Sequence, residues 1–212
     1  IGIGLLKKED DHYLFHKKYA VKPAKFDVFP EANKVIITCV SESVNGYSYE
    51  LTKEIELHHS SFTVKYNLHN TGEKEIVTDE YVHNFMAINN TSIGKDYELS
   101  FQFKLQPLFF DETVNTEQKA AIGSNRITFK DTPKEQFFFS NLSGGKHKNA
   151  AWTLLNSKTN IGIQEIGNFK TDKINLWGWG HVISPELFFK INIKAGESSE
   201  WSRSFEVFKI NS

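Results

Sequence analysis

The chain has 212 residues, with 25 Lys and Arg against 26 Asp and Glu, for a net charge of -1. That balance removes the electrostatic case for nucleic acid or an anionic membrane surface. The only arginines are Arg126 and Arg203, which argues further against DNA or a phosphosugar, because arginine is the usual bidentate phosphate partner. The single cysteine, Cys39, excludes an intrachain disulfide and a Cys-based zinc site, a usage compatible with cytoplasm or periplasm. No run of 18 apolar residues exists, so no membrane-spanning helix is expected. Apolar residues at 39%, with 18 Phe, are ample for a core.

In chain order, Ile1–Leu6 is a small apolar strand and Asp10-Asp11 a turn. Tyr13–Phe15 and Tyr19–Val21 are short extended pieces. Phe26–Phe29 and Val35–Val40 bracket a Pro-Glu-Ala-Asn turn, which predicts a hairpin. Asn45-Gly46 is the strongest short turn signal in the chain. Tyr47–Leu57, Phe62–Leu68, Tyr81–Ile88 and Tyr97–Leu105 then alternate apolar and polar residues as half-buried strands do. Thr116–Ala121 reads as one or two helical turns. Further strands follow at Arg126–Phe129, Gln136–Ser140, Ala151–Leu155, Ile161–Ile166, Lys173–Trp177, Leu187–Ile193 and Glu200–Phe208, with a turn at Ala195-Gly196-Glu197. About a dozen short strands without a long helix predict an all-β, large antiparallel β-sandwich.

Two stretches carry chemistry. In Tyr81-Val-His-Asn-Phe85, alternation puts Tyr81, His83 and Phe85 on one face. Aromatic rings stack on the C–H faces of a sugar, and an imidazole exchanges protons near neutral pH. The bland alternative is a half-buried histidine satisfying a backbone group. In Trp177-Gly-Trp-Gly-His-Val-Ile-Ser-Pro-Glu186, the carboxylate starts an apolar strand beside Trp and Phe. Desolvation there raises its pKa toward the range of a general base. The glycines flanking Trp179 leave the backbone open to a close-approaching ligand. His181 lies five residues before Glu186, near enough to line the same pocket. His58-His59 reads as a solvated turn, with a metal pair as its alternative.

With these stretches in view, the chain resembles the galactose mutarotase-like superfamily, the aldose 1-epimerase type of β-sandwich. Asn70-Thr-Gly72 followed by Tyr81-Val-His-Asn-Phe85 resembles its Asn-x-Gly turn and the strand carrying its acid-side histidine. Ile183-Ser-Pro-Glu186, Ala195-Gly-Glu197 and Trp201-Ser-Arg-Ser-Phe205 resemble its C-terminal end. The resemblance implies a single β-sandwich domain over residues 1–212, lacking the fold's first strands. It implies that His83 is the general acid toward the ring oxygen of an aldose and Glu186 the base toward the anomeric hydroxyl, across one small pocket. Tyr81, Asn84, Phe85, Trp177, Trp179 and His181 are the expected substrate-binding residues. The implied reaction needs no metal and no redox cofactor, and the implied partner is a small sugar or oligosaccharide. The sugar-binding Arg and ring-binding Asp of the family have no clear match; Asp111 and Asp131 are positional candidates for the latter. The alternatives are a non-catalytic carbohydrate-binding β-sandwich and an accessory domain of a polysaccharide-processing enzyme.

Overall fold

The structure is a computed structural model, and it describes residues 4–7, 9, 11, 12, 14 and 17–210. The sequence expectations for 1–3, 10, 13 and 15 lie outside the described residues. Eighteen strands appear among the described residues: β1 (Gly4–Leu6), β2 (Val21–Pro23), β3 (Lys25–Pro30), β4 (Lys34–Val40), β5 (Tyr49–His58), β6 (Ser61–Asn70), β7 (Ile76–Glu80), β8 (Tyr97–Ser100), β9 (Thr113–Val114), β10 (Ala120–Ile122), β11 (Arg126–Phe129), β12 (Phe137–Phe139), β13 (Lys148–Asn156), β14 (Ile161–Thr171), β15 (Ile174–Trp179), β16 (Val182–Leu187), β17 (Phe189–Ile193) and β18 (Ser198–Lys209). The single helical element among the described residues is the 3₁₀ turn Pro107–Phe109. No helix of the described residues is long and apolar enough to cross a membrane.

The chain forms two compact units. The first takes residues 1–57, 63–78 and 191–201. Its strands run in the order β6-β5-β4-β3, and β3–β4 and β4–β5 are antiparallel. Asn45 and Gly46 both take positive φ, 54° and 81°, the two left-handed positions that a tight hairpin turn needs. Buried Asn70 is a junction. Its side-chain oxygen accepts from Gly72 N, its amide nitrogen donates to Lys74 O and Ile193 O, and its own N–H donates to Glu197 O. The Asn-x-Gly turn and the Ala-Gly-Glu turn, about 120 residues apart in sequence, are thus tied to one another. Tyr66 stacks on Trp201 at 4.9 Å.

The second unit takes residues 58–62, 79–190 and 202–212. One sheet has the order β10-β11-β8-β13-β14-β18 and the other β16-β15-β12-β9. Their inner faces meet through residues such as Phe129 on β11 and Phe137 on β12, whose rings lie 5.4 Å apart. Alternation decides the faces. In β15, Ile174, Leu176 and Gly178 point inward, as do Ile183 and Leu187 of β16. Asn175, Trp177 and Trp179 point the other way, and that outer face carries the site.

Three local expectations need correction. Thr116–Ala121 is a turn running into β10 at Ala120 rather than a helix, because the Asn115 side chain donates to Ala120 O and Gln118 takes a φ of 52°. The strand expected over Tyr97–Leu105 leaves its ladder after Ser100, where Phe101 and Leu105 donate instead to Asn125 O and Ser124 O. The glycines near Trp179 are filled by the protein itself. A Cβ on Gly178 would lie 2.3 Å from the Phe137 ring, and one on Gly180 would lie 2.4 Å from Pro133 O.

Phe137 is Gly178's cross-strand neighbour and is buried, so the ring has nowhere to retreat. Gly178→Ala should therefore cost about 1–3 kcal/mol of stability through overpacking. Urea unfolding measures this, and an unchanged midpoint would mean that Phe137 does not fill the groove over β15.

Candidate functional site

The segment Tyr81–Ile88 was expected to be a strand, but it joins no ladder. It holds the sheet by a single antiparallel bridge, Met86 to Ile183, with Met86 N to Ile183 O at 2.8 Å and Ile183 N to Met86 O at 2.9 Å. Its alternation nonetheless persists. Tyr81, His83, Phe85 and Ala87 are exposed, and Asn84 and Ile88 are buried.

That bridge and the β15–β16 ladder fix which side chains stand side by side on the outer face. Carried along the chain, the Met86–Ile183 register sets Tyr81 opposite Phe188, His83 opposite Glu186 and Phe85 opposite Ser184. The β15–β16 register pairs Asn175 with Glu186 and Trp177 with Ser184, and places Lys173 beside Phe188. Three rows result: Tyr81, Phe188 and Lys173; His83, Glu186 and Asn175; Phe85, Ser184 and Trp177. The observed contacts follow these rows. Tyr81 stacks on Phe188 at 4.5 Å, and Lys173 Nζ lies 4.3 Å over the same ring. His83 Nε2 lies 3.4 Å from Glu186 Oε1. Phe85 meets Trp177 edge-on at 5.7 Å, stacks on His83 at 4.3 Å, and is 63% exposed.

The electrostatics of the middle row come from burial. Glu186 is 4% exposed, and desolvation pushes its carboxyl up to about 7, against the pull of Asn175 and the field of Lys173. Asn175 is oriented for this contact, because its oxygen accepts from Asn141 N at 3.1 Å and leaves its NH₂ for the carboxylate. Desolvation holds the His83 imidazole below its ordinary value. The Tyr81 hydroxyl is pushed up, by burial first and then by the charge of Glu186. Ser184 Oγ, buried in the third row, has no hydrogen-bond partner among the described residues.

Beneath the rows lies a buried ionic network. Arg203 and Glu165 are both 0% exposed. Arg203 Nη1 donates to Glu165 Oε1 at 2.7 Å, and Nη2 donates to Glu80 Oε2 at 2.7 Å and Leu187 O at 2.8 Å. Glu165 Oε2 accepts from Trp152 Nε1 and from Asn84 Nδ2, at 2.7 and 2.8 Å. Burial pushes the Glu165 carboxyl up, opposed by Arg203, Trp152 and Asn84. Every partner is a donor, so the ionised form is the one this network fits. Asn84 also donates to Pro185 O at 3.1 Å. The network therefore grips the neighbours of both His83 and Glu186.

The sequence-derived candidates divide accordingly. Tyr81, His83, Phe85, Trp177 and Glu186 come together. His83 and Glu186 stand in direct contact rather than across a gap. Asn84, expected to bind substrate, points inward at 7% exposure with both amide hydrogens engaged, because it has the opposite strand parity to His83. Trp179 lies two rows from the pair, its indole donating to Lys134 O, and His181 lies in the hairpin turn 5.7 Å from Trp179. Asp111 accepts from Asn141 at 3.2 Å, and Asp131 is exposed. Sequence reasoning missed Lys173, Asn175, Phe188, Glu165 and Arg203. Parity with Glu186 across the β15–β16 hairpin would have found the first three.

A two-sheet sandwich with a His–Glu pair on one outer face can be compared with known structures. A candidate aldose 1-epimerase from Escherichia coli K12 superposes with a TM-score of 0.65 at 13% identity, over 97% of this chain and 75% of that one. A galactose mutarotase-like protein from Lactobacillus casei gives 0.63 at 15% identity, over 97% and 82%. The fold is galactose mutarotase-like. A galactose mutarotase related enzyme from Lactobacillus acidophilus adds a TM-score of 0.64 at 8% identity, over 99% and 82%. No protein-family model and no functionally curated protein matches the sequence. The mutarotase-like likeness is thus one of architecture.

Two measurements test the electrostatics. In the unfolded chain Glu186 ionises near 4.5, and in the folded protein near 7. Its contribution to stability is fully present below about pH 4.5 and is lost as pH rises through about 7. Glu186→Gln removes this titration. Denaturant unfolding at pH 4, 6 and 8 should show the variant gaining on the wild type by up to about 3 kcal/mol at pH 8. A gap that is flat with pH would contradict the raised value.

Glu165→Gln presents an NH₂ to donors and leaves a buried guanidinium short of one carboxylate. It should cost about 3–5 kcal/mol in urea unfolding at pH 7. A loss below about 1 kcal/mol would show that the network is not a closed ionic cluster.

Proposed function

We propose that the protein is a mutarotase-like, carbohydrate-active isomerase that interconverts the anomers of a free aldose. The observation that supports this most is the His83–Glu186 pair: a desolvated carboxyl pushed to about 7, an imidazole held below its ordinary value, and 3.4 Å between them. The galactose mutarotase-like fold supports the same reading.

The pair holds one proton in its working form; the two shifts rest it on Glu186, and it crosses the 3.4 Å to His83 before the ring opens. With the proton on His83, the imidazolium protonates the ring oxygen while the Glu186 carboxylate takes the proton from the anomeric hydroxyl. The C1–O5 bond breaks and an aldehyde forms, leaving a neutral imidazole and a carboxylic acid. After rotation about C1–C2, the acid returns its proton to the carbonyl oxygen as O5 attacks, and His83 recovers the O5 proton. No proton is gained or lost, so the two groups titrate as a unit. The aromatic flanks, Tyr81 with Phe188 and Phe85 with Trp177, supply apolar walls for C–H faces.

The test is polarimetry or NMR of freshly dissolved α-aldoses. His83→Ala and Glu186→Gln should each lower the catalysed rate by about 10²–10⁴-fold, and the double variant by less than the product. The rate should trace a bell against pH whose alkaline limb lies at about 7. A wild type that accelerates no aldose yet binds sugar in calorimetry would make it a carbohydrate-binding module.

A further inference from the structure

The row beyond the His83–Glu186 pair ends in a cation that the anomerisation reaction does not use. Lys173 Nζ lies 4.3 Å over the Phe188 ring, on the same outer face as Glu186 and in the adjoining row. Among the described residues no carboxylate lies within ion-pair distance of it. Its sequence neighbour Asp172 is engaged by Lys190 at 2.5 Å. Glu80 is engaged by Arg203. Glu186 feels the field of Lys173 without touching it. In its working form the His83–Glu186 pair is neutral overall, so Lys173 adds one uncompensated positive charge to the face.

The two ends of the face differ in kind. Phe85 and Trp177 make one end apolar, while Lys173, Tyr81 and Phe188 make the other cationic over an aromatic floor. Adjacent rows on a strand are two residues, or roughly 7 Å, apart. The outer oxygens of a pyranose's C5 substituent lie only about 3 Å from its ring oxygen, and a hydrogen bond of about 3 Å more reaches a side chain in the next row. A neutral hydroxymethyl group there would leave the ammonium without a counter-charge, and a carboxylate would supply one.

We propose, building on the anomerase reading, that Lys173 is a specificity-determining residue that selects sugars bearing a carboxylate, the uronic acids. One lysine, with the nearest arginine already committed to Glu165 and Glu80, matches a single negative charge. A phosphate ester carries more charge and is usually met by several donors or an arginine fork.

The test is calorimetry with methyl glycosides, which cannot open and so report binding apart from catalysis. The probes are methyl β-D-glucuronide and methyl α-D-galacturonide, the matching methyl glucoside and galactoside, and glucose 6-phosphate. The uronides should bind about fivefold to tenfold more tightly than their neutral counterparts, and the preference should shrink with added salt. Lys173→Met should bring that ratio close to one, and Lys173→Arg should keep it above one. Circular dichroism and melting of both variants establish that they are folded. Equal affinities, a preference that survives Lys173→Met, tighter binding of the 6-phosphate, or no binding of any probe would each overturn the proposal. A lysine-dependent uronide preference in a protein that accelerates no free uronate would keep Lys173's role and remove the anomerase reading alone.

Discussion

The pair between Glu165 and Arg203 is the interaction on which the outer face depends. Two full charges sit at 0% exposure between the sheets of the second unit, a placement tolerable only when each is compensated by geometry as well as by charge. Compensation is nearly complete. Glu165 receives Arg203, Trp152 and Asn84, and Arg203 reaches Glu80 and the carbonyl of Leu187. Arg203 Nε has no partner among the described residues, and the guanidinium lies 4.9 Å from the Phe169 ring centroid. Such an arrangement has little freedom to relax, because moving any member leaves a buried charge short of a partner.

That rigidity reaches the surface by one covalent step in each direction. Asn84 is the residue after His83, and Pro185 and Leu187 flank Glu186. The segment 81–88 has only one bridge to the sheet, too little backbone bonding to fix a side chain. Asn84's hold on Glu165 and on Pro185 O supplies what the missing ladder does not. The polar interior and the outer-face acid–base pair are two sides of the same strands, and parity sorts one residue to each.

How much of this could be read from the chain depends on range. Alternation disclosed the strands, and the tight turns at Asn45-Gly46 and Ala195–Glu197 were visible because glycine and asparagine accept positive φ. The aromatic grouping of Tyr81, His83 and Phe85 was equally visible, since two-residue periodicity survives even where no ladder forms. Pairing partners were not visible. Nothing near Ser202-Arg203-Ser204 marks that arginine as the counter-charge of Glu165, 38 residues earlier. Asn84 looked like a sugar ligand because it adjoins His83, and adjacency in a strand means opposite faces. His181 looked near Glu186 because only five residues separate them, but it lies with Trp179 at the far end of the β15–β16 hairpin. The glycines beside Trp179 suggested room for a ligand, and the space belongs to Phe137 and Pro133 O.

The rows on the outer face are set by two antiparallel registers, Met86 with Ile183 and β15 with β16. An antiparallel register fixes the sum of two residue numbers and is indifferent to how much chain lies between them. Extra residues in a surface bend between Ser157 and Asn160, or around Ser143–Gly145, would leave every row intact. One extra residue between Tyr81 and Met86, or between Ile183 and Phe188, would turn one or more side chains of the rows to the opposite face. Lineages that carry this site can therefore lengthen or shorten most of their bends freely, while two six-residue windows must keep their spacing. Homologues should be recognisable by that invariant spacing even where overall identity has decayed to the level of chance.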